Sequence, residues 1–436
     1  MLPKYFNIPF LKKNELLTVS SLTAVSTAIR IVTQLISSKI LAIMIGPSGL
    51  ALLGQLSNAS GIAMITSTGA LTVGITKYIS EYYKDPEKQA QVIQTGMGII
   101  GICSLVTSLL LILASKWLSL LLFGSYQYIY IFIVLGTTIS LYAFNTLWVA
   151  ILNGYNKVRK IVIINIVTSL AGMLFTGILV YYFKVQGAMV SFILGQTLIC
   201  GVTYFFIRKE KWWQHREHFK IHKPLLKKLK GFTIMAIAAA VITPCTQLII
   251  RSGISKKLSI DAAGIWDGIN RISGNYLILF TASVAVYYLP KLSSLNTGPA
   301  LKKEIGNAYK IIMPVILLSV FGIYFFRVLI IRILFSKGFL PMSDLFAFQL
   351  GGDFMKISGW LIAYLMWAKG YVKEFIIAEF LAGLFMVIAT PIAIDHFGLR
   401  GTSIVYFINN FIYSICIALL MINKLNKHDL HENTNS

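Results

Sequence analysis

Acidic and basic residues interrupt the apolar runs of this chain at helical spacing. Asp267 and Arg271 are four residues apart, and Asp353 and Lys356 are three apart, so each pair lies on one face of a helix. Arg30 lies in another apolar run with no acidic residue within one helical turn. An ionised side chain at the centre of a bilayer costs about 2.5 to 3.5 kcal/mol, so each of these residues needs a partner or a water-filled cavity.

Two interpretations fit these charges. In the first, Asp267 with Arg271 and Asp353 with Lys356 are self-neutralising ion pairs that only ease insertion. In the second, the charges line a polar cavity, and the unmatched Arg30 makes that cavity net basic. A basic cavity selects an anion, and arginine favours phosphate because its planar fork bonds two oxygens at once. We expect Asp267 to neutralise Arg271 in the empty cavity and a substrate diphosphate to displace it.

The elements that position these residues are transmembrane helices. The chain has 436 residues, of which 56% are hydrophobic and 13% charged, about half the charged fraction of a soluble domain. Apolar runs long enough to cross a bilayer recur along it. We predict an all-α integral membrane protein with about twelve spans, which lie near 16–44, 49–76, 93–115, 129–152, 161–183, 187–207, 231–250, 263–289, 311–335, 345–368, 374–394 and 401–422.

The basic residues predict the orientation of these spans. The formal net charge is +23, and about two thirds of the 39 Lys and Arg residues fall on one side of the predicted topology. This asymmetry predicts that both termini are cytoplasmic, and it explains the charge without a nucleic-acid partner. We interpret the largest basic block, 208–230, as a cytoplasmic linker that lies on anionic lipid headgroups. Trp212 and Trp213 are expected at the membrane interface.

Similar short sequences recur in the two halves of the chain, separated by a nearly constant number of residues. "GLALLGQLSN" begins at Gly49 and "GIWDGINRIS" at Gly264, and "VQGAMV" and "LRGTSI" open the sixth and twelfth spans. The pattern predicts two parallel six-helix repeats. The expected domains are an N-terminal lobe (1–207), the linker (208–230), a C-terminal lobe (231–424) and a cytoplasmic tail (425–436).

The sequence holds no recognisable catalytic motif. It lacks a phosphate-binding loop and a nucleophile elbow. Three of its histidines, His215, His218 and His222, have helical spacing, but their basic surroundings favour a solvated face over a metal site. We therefore expect a transporter, not an enzyme, with no metal and no cofactor. Glu379, in a late apolar run, is a candidate for coupling to a proton or sodium gradient.

Three stretches carry a family resemblance. "GALTVGITKYISEYYKDPEK" (69–88), "GIWDGINRISGNYLILFTASVAVYYLPKLSSL" (264–295) and "SDLFAFQLGGDFMK" (343–356) resemble the bacterial O-antigen and enterobacterial-common-antigen flippases. These flippases form the polysaccharide-transporter branch of the multidrug/oligosaccharidyl-lipid/polysaccharide exporter superfamily. The resemblance implies a V-shaped bundle with a central cavity. It also implies substrate-binding roles for Arg30, Asp267, Arg271, Asp353 and Lys356.

The resemblance further implies a substrate and a place in the cell. The substrate would be an undecaprenyl-diphosphate-linked oligosaccharide, moved from the cytoplasmic to the periplasmic leaflet of the inner membrane by alternating access. Other expected partners are membrane lipids, a polysaccharide polymerase and a chain-length regulator.

Two alternatives stay open. An ion-coupled drug exporter of the same superfamily would need an anionic, aromatic cavity for its cationic substrates. A membrane glycosyltransferase or polymerase would need a large outer loop, whereas the longest outer loop predicted here runs from about 251 to 262.

Reporter fusions test the predicted orientation. Fusions after residues 90, 225 and 430 should report the cytoplasm, and fusions near 125 and 257 should report the periplasm, because basic loops are retained on the cytoplasmic side. A periplasmic signal at 225 would reverse the orientation.

Overall fold

The protein is all helical in the part of the chain that the structure describes. This structure is a computed structural model, and it describes residues 13–210, 212, 213, 222–295 and 297–433. Within these residues there is no β-strand, and short turns join the helices.

The first half of the chain forms helices α1 to α7. They are α1 Lys13–Met44, α2 Gly46–Thr68, α3 Thr72–Glu81, α4 Pro86–Leu113, α5 Ser115–Phe123, α6 Ile129–Gly154 and α7 Val158–Ile207. Helix α7 is interrupted at Lys184, where φ is 49° and ψ is −125°. This break separates the predicted spans 161–183 and 187–207.

The second half forms helices α8 to α14. They are α8 Lys223–Lys257, α9 Ile260–Ser294, α10 Gly298–Phe325, α11 Arg327–Leu334, α12 Phe346–Lys369, α13 Val372–Phe397 and α14 Arg400–Asn433. A 3-10 segment, Lys337–Leu345, leads into α12.

Each predicted span lies largely on helical backbone, although 49–76 is interrupted at 69–71 and 311–335 at Phe326. The all-α membrane protein is confirmed. By length and composition, eight helical segments of the described chain can each cross a membrane. Helices α8, α9 and α12 are not among these eight, and α9 and α12 carry the two predicted charge pairs. Large apolar side chains project from the helix surfaces, as Leu113 and Phe325 do at 81% and 78% exposure. Such surfaces suit contact with lipid.

The order of elements repeats in the two halves. A long helix, a short helix and a second long helix follow one another as α4, α5 and α6, and again as α10, α11 and α12. Gly187 and Gly401, matched in the two repeats, have the same packing role. A Cβ would lie 2.0 Å from the carbonyl oxygen of Leu179 at Gly187, and 2.3 Å from that of Ala393 at Gly401. Only glycine allows such close backbone approach.

Contacts divide the chain into two compact units. Unit 1 contains residues 1–40 and 63–237, and unit 2 contains residues 41–62 and 238–436. The core of unit 1 includes Ile75, Ile93 and Leu147, and a core of unit 2 includes Leu361 and Met366. The predicted domain boundaries and the V-shaped arrangement around a cavity stay predictions.

The start of the linker packs differently from the prediction. Trp212 is 4% exposed and belongs to the core of unit 1, with Leu225 in the same cluster. Lys160 forms a salt bridge of 2.5 Å with Glu210 just before it. The indole of Trp212 therefore packs among apolar side chains of unit 1 and does not project from the surface toward headgroups, and the position of the linker at the membrane interface stays a prediction. Residues 211 and 214–221 of the linker, including His215 and His218, lie outside the described residues.

Replacing Gly264 by alanine should destabilise the protein. A Cβ at this position would lie 1.8 Å from the backbone oxygen of Pro47, so α2 or α9 must shift, and overpacking of this kind costs about 1 to 3 kcal/mol. Thermal unfolding of the detergent-purified protein measures the loss. Gly253→Ala in α8 is the matched control, because no atom lies within 4 Å of its added methyl group. Equal unfolding temperatures for both variants would contradict the close contact.

Candidate functional site

A buried ion pair joins α8 to α9 in unit 2. The Nη2 and Nε atoms of Arg251 donate hydrogen bonds to the two carboxylate oxygens of Asp267, at 2.6 and 2.8 Å. Both residues are buried, at 4% and 5% exposure. This two-bond geometry is the strongest that an arginine and a carboxylate form, and it satisfies both oxygens of Asp267.

Arg251 is the residue that sequence reasoning missed. The predicted outer loop began at 251, but α8 continues to Lys257 and keeps Arg251 inside the bundle. The expected partner of Asp267, Arg271, was therefore wrong, since both carboxylate oxygens bond Arg251. The spacing of Gln247 and Arg251, one helical turn apart, is the sequence signal that marks a polar face there.

The first part of α2 completes the surroundings of this pair within unit 2. The Nη1 of Arg251 donates to the side-chain oxygen of Gln55 at 3.2 Å, and the amide nitrogen of Gln55 donates to Ser252 at 2.9 Å. A Cβ at Gly54 would lie 2.0 Å from Oδ2 of Asp267, so α2 must carry glycine there. The guanidinium carbon of Arg251 lies 5.5 Å from the ring centroid of Trp266.

Asp353 on α12 is held by hydroxyl groups instead of a cation. Ser273 and Tyr276 donate to its Oδ2, each at 2.6 Å, and Tyr406 donates to its Oδ1 at 2.7 Å. The residue is fully buried. Three donors stabilise the carboxylate and join α9, α12 and α14. Sequence reasoning missed these hydroxyls, although Ser273 and Tyr276 share one face of α9.

Lys356 forms no hydrogen bond or salt bridge to any residue that the structure describes, Asp353 included. Its Nζ lies 5.0 Å from the ring centroid of Trp360 and 5.8 Å from that of Tyr406. Asp353 and Glu379 are the two carboxylates that act on it electrostatically. The ammonium is therefore held against aromatic faces. The predicted Asp353–Lys356 ion pair was wrong, because three hydroxyl groups already satisfy the carboxylate.

A polar layer extends from the surroundings of Asp353 along α9. The side-chain nitrogen of Gln349 donates to Ser273 at 3.3 Å and to Asn270 at 3.5 Å, and its oxygen accepts from Ser403 at 3.4 Å. Gln349 is almost fully buried. These bonds reach Asn270, which lies three residues beyond Asp267 on α9.

Arg271 is half-buried on α9, one turn beyond Asp267. It lies within electrostatic range of Asp267 and Arg251, but it forms no hydrogen bond with the described part of the chain. Two guanidinium groups thus share one carboxylate, which leaves a surplus positive charge on Arg271.

The remaining predicted residues lie elsewhere. Glu379 on α13 is half-buried and accepts a hydrogen bond of 2.7 Å from Tyr413. Arg30 is exposed on α1 and belongs to unit 1, whereas the other five predicted residues belong to unit 2. Among the described residues, no group of three His, Cys, Asp or Glu side chains could hold a metal ion.

Comparison with known proteins identifies the family. The family model described as "Polysaccharide biosynthesis protein" matches residues 18–296. The chain belongs to this family. Within it, the chain is 27% identical over 416 residues to the lipid III flippase of Escherichia coli (strain K12), covering 92% of this chain and 97% of the relative.

Solved structures place the fold of this family member among transporters. A multidrug resistance MATE family transporter of the MOP superfamily, in an inward-facing conformation, has a TM-score of 0.78 and 15% identity, covering 92% of this chain and 95% of its own. A MOP superfamily transporter from Pyrococcus furiosus Vc1 has a TM-score of 0.70 and 15% identity, covering 94% and 95%. The transporter fold expected from the sequence is confirmed.

Removing one hydroxyl from around Asp353 should destabilise unit 2. Tyr276→Phe leaves a buried carboxylate with one donor fewer, which costs about 1 to 3 kcal/mol. Tyr288→Phe on the same helix is the matched control, because the buried Tyr288 hydroxyl has no hydrogen-bond partner in the described structure. Thermal unfolding should separate the two variants. An unfolding temperature for Tyr276→Phe no lower than that of Tyr288→Phe would contradict this role.

Proposed function

We propose that this protein is a flippase that moves a lipid-linked oligosaccharide across a membrane by alternating access. The observation that carries the proposal is the surplus positive charge on Arg271. Arg251 satisfies Asp267, and the guanidinium fork of the half-buried Arg271 forms no hydrogen bond with the described part of the chain. A charge in this position is suited to an anionic group of the substrate.

The family and its relatives support this choice of substrate. The relative from Escherichia coli is named as a lipid III flippase, and the likeness extends over nearly the whole length of both chains. The resemblance seen in the sequence implies an undecaprenyl-diphosphate carrier. A diphosphate offers the paired oxygens that a guanidinium fork binds.

The predicted cations have separate roles in the proposal. Arg271 takes the diphosphate, and Lys356, held over Trp360 and Tyr406, offers a second positive charge. Arg30, exposed on α1 of unit 1, is a further cation that the sequence predicts to act on the substrate. Asp267 and Asp353 act through their neighbours, because both carboxylates are saturated by hydrogen bonds from the protein.

The basic residues support a location and an orientation. We place the protein in the bacterial inner membrane with both termini in the cytoplasm. Transport would then proceed from the cytoplasmic to the periplasmic leaflet. A polysaccharide polymerase and a chain-length regulator are the partners that would take up the product.

Glu379 is the residue that we propose for coupling to a proton or sodium gradient. It is half-buried, accepts a hydrogen bond from Tyr413 and acts electrostatically on Lys356. Protonation of Glu379 would change the charge balance around Lys356, which gives a physical route from an ion gradient to substrate affinity.

The two alternatives have weaker support. A drug exporter for cations would place unpaired carboxylates at the site, whereas Asp267 and Asp353 are saturated here and the surplus charge is positive. The likeness to a multidrug transporter, at 15% identity, concerns the fold. For a glycosyltransferase, the loop expected at 251–262 is shorter still, because α8 ends at Lys257 and α9 begins at Ile260.

Export should depend on the charge of Arg30 and Arg271. Arg→Ala at either position should abolish surface polymer in a flippase-null strain while the protein still reaches the membrane. Arg→Lys should keep part of the activity, because the charge remains and the fork is lost. Arg159→Ala, which removes an exposed arginine at the start of α7, is the control and should export normally. Full export by both alanine variants of the site would remove Arg30 and Arg271 from the substrate path.

A further inference from the structure

The guanidinium of Arg251 forms more hydrogen bonds than neutralising the charge of Asp267 requires. Its guanidinium uses Nε and Nη2 for Asp267 and Nη1 for Gln55. It is buried, and Trp266 covers one of its faces. Each guanidinium nitrogen of Arg251 is therefore already bonded to a protein group, and two of the three are bonded to Asp267.

Asp267 has a second possible partner at close range. Arg271 is one turn further along α9, so the two side chains lie on the same face of the helix. Arg251 and Arg271 are the two cations that act on Asp267 electrostatically. Without Arg251, the buried carboxylate would be left uncompensated, and turning to Arg271 is the local way to neutralise it.

We propose that Arg251 is a positioning residue that keeps Asp267 bound and thereby keeps Arg271 available for the anionic headgroup of the substrate. The inference rests on the proposed function, because it concerns the same site. Arg251 raises the affinity of the site for a diphosphate without touching the diphosphate.

Helix α2 fixes the geometry on which this role depends. Gln55 bonds both Arg251 and Ser252, and Asn58 donates to Gln247 at 3.1 Å, so two successive turns of α8 are tied to α2. Gly54 leaves the space that the Asp267 carboxylate occupies. The carboxylate is therefore held on the α8 side, and its bonds to Arg251 are stronger than a flexible contact along α9 would be.

Binding of a short lipid diphosphate to the purified full-length protein tests this role. The probe is farnesyl diphosphate, with farnesol as the control for the lipid tail, and calorimetry gives the dissociation constants. Arg271→Gln should weaken diphosphate binding by about tenfold, the loss of one charge-assisted contact. Arg251→Gln should weaken it to a similar extent, although Arg251 does not contact the probe. Lys256→Gln, which removes an exposed charge from the same helix, should have no effect.

The decisive variant removes the carboxylate as well. Arg251→Gln with Asp267→Asn should restore affinity to within about threefold of the wild type, a difference below one kcal/mol, because nothing then competes for Arg271. Adding Arg271→Gln to that double variant should abolish the rescue. A merely structural role for Arg251 would change unfolding temperatures without producing a rescue that depends on Arg271.

Several outcomes would overturn the inference. Wild-type affinity in Arg251→Gln would show that Asp267 does not turn to Arg271, and a double variant as weak as Arg251→Gln would show that Arg251 acts by another route. Should Arg251→Gln fail to fold, Arg251→Lys, which keeps the charge with a single contact, should show a partial loss that Asp267→Asn rescues. If the wild type binds farnesyl diphosphate no better than farnesol, or if Arg271→Gln binds like the wild type, the proposed function itself fails.

Discussion

A fully buried charge inside an apolar helix bundle must be neutralised or hydrogen-bonded by groups that the bundle itself supplies, and this constraint organises unit 2. Arg251 and Asp267 satisfy it with a two-bond ion pair between α8 and α9, and Asp353 satisfies it with three hydroxyl groups. Breaking a buried pair by removing one partner costs about 3 to 5 kcal/mol, so these residues determine which helices must stay together.

The same constraint separates the charges that stabilise the protein from those that can serve a substrate. Both buried carboxylates are saturated, whereas Arg271 and Lys356 are half-buried and lack hydrogen bonds to the described chain. A site with satisfied acids and available bases suits an anion. The fold alone does not identify the substrate, because drug transporters share it. The contrast between satisfied carboxylates and available cations is what supports a substrate with an anionic lipid headgroup.

Glycine makes this polar arrangement possible, because the helices must approach closely for their side chains to meet. Gly54 leaves room for the Asp267 carboxylate, and Gly264 lets α9 lie against the backbone of Pro47. The matched glycines at 187 and 401 show that the repeated halves use the same device at their last helical junctions. Packing and electrostatics are therefore linked, since a side chain at Gly54 would displace the carboxylate from its partner.

The amino-acid sequence by itself determined the helical membrane fold, the duplicated order of elements and the identity of the charged residues, because apolar runs and intramembrane charges are local properties of the chain. It could not determine the partners of those charges. Asp267 was matched to Arg271 by its spacing, and Arg251 was assigned to the outer loop predicted at about 251–262. Tertiary structure decided both points, since α8 extends to Lys257, about two turns beyond the predicted span, and brings Arg251 from 16 residues away against Asp267. Hydrogen-bond geometry depends on how helices distant in sequence pack, and that information lies outside any single helical segment.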